Sequence, residues 1–279
     1  MRSLYRERQY FCGDYLEVDI YPVFRKQRGR GRKAKPTSAV QERLNEHNAV
    51  EKLIRILNAN FTANDYEFHL TYTNENLPNS VEEAKRDIQN FIRAVKRKRA
   101  KLGLDDLKYV CVPEGGFEGT RFHFHVTMNG GLDRSVIEEL WGYGYANGKR
   151  LQFNEEGVEG LARYVTKQFA AHKDELPFGK RWSASKNLLI PEPVDKDGRL
   201  SARKVKDLAS NLCGSRKAFE TLYKGYNVSK IESFYNDVNS GFYLHVKLYR
   251  EDAVFQNTKK RKRARETAER DLFGTAVET

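Results

Sequence analysis

The sequence predicts an α+β fold on a mainly antiparallel sheet. Strand-like and helix-like periodicities alternate along the chain, glycines join two adjacent strand-like runs into a hairpin, and several helical stretches open with a capping residue. With 279 residues, 39% of them hydrophobic, there is material for one large domain or two modest ones.

Residues 14–24 (DYLEVDIYPVF) alternate and are rich in β-formers, which predicts a strand. Ser38 precedes apolar residues at helical spacing (Val40, Leu44, Val50, Leu53, Ile54, Leu57), which predicts a capped helix over 38–58. Tyr66 to Thr73 reads as a strand, closed by a loop containing Pro78. Ser80 caps a long helix with Glu82 and Glu83 in its first turn and a basic second half, the polarity the helix dipole favours, and Gly103 ends it. Leu107 to Pro113 and residues 121–128 are strand-like, and Gly115, Gly116 and Gly119 connect them as a hairpin. Asp133 caps a helix through Trp141, residues 142–153 form a loop or hairpin rich in Gly and Tyr, and Val158 to Ala171 is helical. Lys180 to Gly198 is irregular and carries the expected boundary between a domain over 1–190 and a C-terminal extension over 191–279. The extension is expected to hold helices near 200–212 and 215–223, a strand over Gly241 to Arg250, and a basic tail.

The formal net charge of +12 points to a polyanionic partner, in most cases nucleic acid. The excess is concentrated in Arg25 to Lys35 (RKQRGRGRKAK), Lys96 to Arg99 (KRKR) and Lys259 to Arg265 (KKRKRAR). The second block lies on a predicted helix and also suits a solvated face. Cys12, Cys111 and Cys213 are far apart and form no CxxC, which argues against a disulfide framework or zinc ribbon and fits a reducing cytoplasm. No apolar run approaches the roughly 18 residues of a membrane span. Gly142 to Arg150 (GYGYANGKR) has the wrong spacing for a phosphate loop, with Arg150 where a Mg²⁺-binding Ser or Thr belongs, so no ATPase motor is expected.

The chemistry centres on Arg121-Phe-His-Phe-His-Val126. On a strand, His123 and His125 share one face while Phe124 points the other way, so the imidazoles can grip one metal ion. An isolated HxH equally suits two hydrogen-bonded histidines on a half-exposed sheet. Glu114 ends the neighbouring strand and can reach the same face as a third ligand. That mixed N/O set suits Mn²⁺ or Mg²⁺. Of the other histidines, His69 sits in a strand expected beside the site. Tyr164 and Lys167 are i and i+3 on a predicted helix, a spacing that makes them a nucleophile with a charge partner or merely part of an amphipathic helix.

Taken in order, these segments resemble the HUH endonuclease superfamily, specifically rolling-circle replication initiators of phages and plasmids. Phe68-His-Leu-Thr-Tyr-Thr73 with Pro78 is similar to its first motif, His123-Phe-His125 to its second, and Ala162-Arg-Tyr-Val-Thr-Lys167 to its third. Trp141-Gly-Tyr-Gly144, Lys180 to Leu188 with Pro191, and Tyr5 to Asp14 resemble flanking segments of the same group. The resemblance spans about residues 5–192. It implies an HUH fold: a central five-stranded antiparallel sheet, ferredoxin-like or RRM-like, flanked by helices, with the histidines on a central strand and Tyr164 on a facing helix. It further implies that Glu114, His123 and His125 bind the metal and that Tyr164 is the nucleophile. Gly160 stands where two-tyrosine relatives carry another tyrosine, so the pattern resembles the single-tyrosine form.

The expected activity is site-specific nicking and joining of single-stranded or hairpin origin DNA through a 5′-phosphotyrosine, leaving a free 3′-OH. Tyr72, Arg121, Arg163, Lys180, Arg181 and Lys186, within or beside the motifs, are the candidate DNA contacts, and Lys167 supports catalysis. A host helicase and polymerase are the expected partners, with oligomerisation on DNA allowed and no membrane. A relaxase or transposase of the same superfamily is one alternative. Another is a non-catalytic RRM-like binder, whose aromatic signature the sequence lacks.

Overall fold

The computed structural model describes residues 4–23, 39–116, 120–167, 177–236 and 241–255. The chain runs β1 (Leu4–Cys12), β2 (Tyr15–Val23), α1 (Ala39–Asn60), β3 (Tyr66–Thr71), α2 (Val81–Lys101), β4 (Tyr109–Glu114), β5 (His123–Met128), α3 (Arg134–Trp141), β6 (Ala146–Arg150), α4 (Glu159–Val165), β7 (Ser183–Ala184), β8 (Val194–Asp197), α5 (Ala202–Ser210), α6 (Leu212–Leu222), β9 (Tyr226–Asn236) and β10 (Gly241–Arg250). The fold is α+β, with two five-stranded antiparallel sheets. One has the order β6-β3-β5-β4-β7 and the other β8-β1-β2-β10-β9. No helix among the described residues is long and apolar enough to cross a membrane.

Local chemistry starts and stops the elements around the first of these sheets. The Ser80 hydroxyl accepts from the Glu83 N–H (3.2 Å) and the Glu83 carboxylate accepts from the Asn79 N–H (2.8 Å), which satisfies free donors at the start of α2. Asp133 accepts from the Ser135 N–H (2.8 Å) to open α3, and Gly142 closes it in the left-handed conformation (φ 66°). In the β4–β5 connection Gly115 has φ 84°, and a Cβ there would collide with the Arg121 carbonyl. In the expected solvated block on α2, Arg99 is buried instead, and its guanidinium donates to the carbonyls of Asp105 (2.8 Å) and Gly130 (2.7 Å). Gly119, the Ser38 cap, the two other basic blocks and the expected helical stretch beyond Lys167 lie outside the described residues.

Three apolar clusters organise the layers. Phe68, Leu70, Phe124, Val126 and Met128 pack from one face of the β6-β3-β5-β4-β7 sheet onto Phe91, Ile92 and Val95 of α2 and Ile137 and Trp141 of α3. On its opposite face, Val110 and Val112 meet Leu53, Ile54 and Leu57 of α1 and Ala162 and Val165 of α4, and this cluster continues to Cys12 and Tyr15 of the other sheet. Helix α1 therefore lies between the sheets. The far sheet covers its outer face with α5 and α6, through Leu16, Val18, Ile20, Leu244, Val246 and Leu248 against Val205, Leu208 and Phe219.

The far sheet corrects the expectation of one central sheet with an appended extension. Its centre is built from β1 and β2 at the start of the chain together with β10 near its end. The expected boundary near 190 separates these strands in sequence, while the sheet joins them. β1 escapes prediction because it carries charge on both faces. Glu7 and Gln9 are buried, whereas Arg6 and Arg8 on the opposite face pair with Asp197 and Asp195 of β8 at 2.7 Å. Nothing local announces partners about 190 residues away.

Leu53 is fully buried between the layers, so Leu53→Ala is expected to cost about 2–5 kcal/mol. Urea denaturation should show a lower midpoint at unchanged slope.

Candidate active site

The site grows from strand register. β5 lies between β3 and β4, with His125 directly opposite His69 and His123 directly opposite Glu114. Alternation turns His69, His123, His125 and Glu114 to the face that looks toward α1 and α4, while Phe124 is buried on the other. One Glu114 carboxylate oxygen lies 2.8 Å from His123 Nε2 and 3.2 Å from His125 Nε2. The His69 ring stacks on His125 (centroids 4.7 Å, 6° apart) and meets His123 edge-on at 5.1 Å. Each of the three histidines offers a ring nitrogen within 4.8 Å of the other two.

The remaining ring nitrogens are fixed by acceptors. His123 Nδ1 lies 3.1 Å from the Arg121 carbonyl, which can only accept, so that nitrogen carries a hydrogen and Nε2 faces the cluster. His125 Nδ1 donates to buried Glu67 (3.1 Å), whose other oxygen pairs with Lys149 Nζ at 3.2 Å. This carboxylate–imidazole pairing orients metal-binding histidines in general. Hydrogen bonds from His123 and His125 push the Glu114 carboxyl down to about 2, so it is an anion. Burial pushes the Glu67 carboxyl up, but His125 and Lys149 outweigh it and the net shift is down. For His125, burial disfavours the charged ring, but Glu114 and Glu67 outweigh it and raise the pKa. Burial and the two neighbouring imidazoles hold His69 below its ordinary value, which favours a neutral ring with a lone pair to donate. His69 Nε2 is buried with no hydrogen-bond partner. Such an orphan calls for an explanation. Three imidazoles, one of them orphaned, and one carboxylate fit a divalent cation.

Tyr164 comes from α4. Its ring is 63% exposed and meets the His125 ring edge-on at 5.6 Å. The helix ends at Val165, where the Thr166 hydroxyl donates to the Ala162 carbonyl (2.7 Å). Lys167 lies just beyond, exposed, its N–H donating to the Tyr164 carbonyl (3.2 Å).

The expected DNA contacts scatter. Arg121 is at the site's edge, its guanidinium donating to Asn74 (2.6 Å) and the Tyr72 carbonyl (2.9 Å). Tyr72 is no exposed stacking surface. It is buried against Trp141 and Phe124, its hydroxyl 3.2 Å from Asp87, because Leu70, Tyr72 and Phe124 belong to the α2–α3 side. Arg163 is already engaged by Glu159 and Glu51, both at 2.6 Å. Arg181 reaches toward α1, 3.5 Å from the Asn45 carbonyl, and Lys180 is exposed. Lys186 follows Ser185, whose N–H bonds the Tyr109 carbonyl, so it sits at the other end of β4, roughly 17 Å from Glu114 at 3.3 Å per residue.

The sequence reading missed Glu67 and Lys149 entirely. Glu67 stands two residues before His69, which on a strand means the same face, and that was the signal available. A second group, Glu17, Glu51 and His245, also brings metal-type donors together. There, however, Arg55 pairs with Glu17, and Lys247 and Arg163 pair with Glu51, so the carboxylates are already neutralised.

A family model for replication-associated proteins of the ORF2 type matches residues 65–169, just over a third of the chain, from the start of β3 past the end of α4. No curated protein and no solved structure matches. The matched segment contains every residue of the histidine cluster together with Tyr164, and it supports a replication-associated protein of the Rep type.

Burial raises the Glu159 carboxyl, but Lys247 and Arg163 outweigh it and the net shift is down. A depressed carboxyl contributes stability above its ordinary pKa of 4.5 and loses it as pH falls through the folded value. Glu159→Gln should therefore cost about 1.5–3 kcal/mol at neutral pH. In denaturant titrations across pH, the gap from wild type should close below pH 4.5.

Proposed function

We propose that this chain is a metal-dependent, site-specific DNA nicking and joining enzyme that initiates rolling-circle replication. The observation that carries the reading is the juxtaposition of Tyr164 with the His69–His123–His125–Glu114 cluster, all within the segment that matches a replication-associated family.

Glu114, His69, His123 and His125 are the residues that would hold Mn²⁺ or Mg²⁺. Bound there, such an ion supplies positive charge to a phosphate oxygen and stabilises developing negative charge. The protein's own groups do the rest. Glu67 and the Arg121 carbonyl keep the two β5 imidazoles turned inward. The exposed phenol of Tyr164 attacks the scissile phosphorus, the bond from phosphorus to the 3′ oxygen breaks, and the phenolic proton is passed on so that the departing strand ends as a free 3′-OH. The downstream 5′-phosphate stays on the tyrosine as a diester. Lys167 contributes positive charge beside it. One phosphodiester replaces another, so the reverse reaction joins ends without ATP. The 3′-OH primes a host polymerase, and strand separation falls to a host helicase. Gly160 lies one helical turn before Tyr164, so α4 offers one nucleophile at a time.

The test is a randomised single-stranded DNA library, labelled at the 3′ end, incubated with the full chain and Mn²⁺ and resolved on a denaturing gel. Wild type should give a labelled covalent adduct that EDTA suppresses. Tyr164→Phe and the double variant His123→Ala/His125→Ala should give none. An undiminished adduct from Tyr164→Phe overturns the assignment.

Mn²⁺ affinity provides a second check that needs no DNA. Calorimetry should find binding weakened by about 10–100-fold in Glu67→Gln, the usual cost of losing a carboxylate behind a histidine ligand. His69→Ala should also weaken it; unchanged affinity there would remove His69 from the ligand set.

A further inference from the structure

Helix α4 has little of its own to hold it in place. It is seven residues long and has no side-chain cap at its N-terminus. A helix that short has no independent stability. Tyr164 projects into the open, so the phenol's position is inherited from the α4 backbone. Ala162 and Val165 pack beneath it, but apolar contacts are non-directional and tolerate sliding. What is directional is a closed ring of ions. Lys247 Nζ lies 2.6 Å from one oxygen of Glu159 and 3.1 Å from one oxygen of Glu51. Arg163 completes the ring, 2.6 Å from the other oxygen of each. The two carboxylates are almost fully buried, as is Lys247. Glu159 and Arg163 belong to α4 and Glu51 to α1. Lys247 alone reaches in from the far sheet, on β10.

A second observation singles out the same residue. The β9–β10 ladder shifts register between Lys247 and Leu248, leaving Ser229 of β9 as the extra residue, and the Ser229 hydroxyl donates to the Lys247 carbonyl (3.0 Å). Bulges of this kind re-aim side chains and concentrate near active sites.

We propose that Lys247 is a positioning residue for the Tyr164 nucleophile, holding α4 in register with the histidine cluster from the far sheet. This rests on the reading of Tyr164 given above. With Lys247 removed, the Glu51 and Glu159 carboxylates share Arg163 alone, and their repulsion moves α4. Displacing a reacting group by about 1 Å costs on the order of 100-fold in rate. DNA affinity has no reason to follow, since Lys247 is buried away from solvent.

The experiment is single-turnover adduct formation by full-length Lys247→Met and Lys247→Arg, using the best-reacting single strand selected from the library, over a range of DNA concentrations. Circular dichroism at the assay temperature measures the folded fraction. Lys247→Met should lose on the order of 100-fold in rate at saturating DNA with its half-saturation concentration unchanged. Lys247→Arg, which keeps the charge, should recover most of that loss. If Lys247→Met does not fold, Lys247→Gln takes its place with the same expectation. A wild-type rate overturns the inference, as does a loss no larger than the loss of folded protein. Absence of any adduct from wild type overturns the reading of Tyr164 and this inference with it.

Discussion

The register of β5 between β3 and β4 is the constraint on which the site depends. Because side chains alternate, a slip of one residue would turn His123 and His125 into the α2–α3 core and bring Phe124 out in their place. The register is held from the apolar side. Phe124, Val126 and Met128 are buried with Phe68 and Leu70 against α2 and α3, and no other pairing keeps all of them dry. The same pairing puts Glu114 and His69 beside the β5 histidines, so the hydrophobic effect on one face sets the geometry of polar chemistry on the other.

The two faces of that sheet divide the labour. One is a conventional aromatic and aliphatic core, in which Trp141 donates to the Thr71 carbonyl (2.8 Å) at the end of β3. The other is charged and mixed, and it works because each buried charge has an opposite charge against it: Glu67 with Lys149, Glu51 and Glu159 with Lys247 and Arg163, Glu17 with Arg55. Unpaired, any of these would be costly, and paired they contribute geometry more than net stability. His69 Nε2, buried without a partner, stands out against this pattern.

Basic charge is spread differently from what a simple count suggests. Several cations that read as DNA contacts or solvated surface are internal struts: Arg99 closes a loop, Arg163 and Lys247 hold α4, and Arg6 and Arg8 pair with β8. A net charge of +12 is a sound argument for a polyanionic partner, but it does not say which residues meet that partner.

The sequence by itself determined the elements whose signals are local. Ser80 and Asp133 cap the helices that their positions predict, the YEFHLT and HFHVTM runs form strands, and the hairpin that brings Glu114 to His123 follows from strands and glycines close in the chain. The Tyr164 helix is legible, and so is the strand that carries His69 beside the site. Tertiary structure alone decided the far sheet, whose partners β1 and β8 lie about 190 residues apart, and with it the union of the chain's two ends. It also decided that Tyr72 is buried, that Glu67 stands behind His125, and that Lys247 reaches α4. Caps, turns and alternation act over a few residues and leave a mark in sequence, whereas strand pairing and buried ion pairs depend on what the folded chain brings alongside.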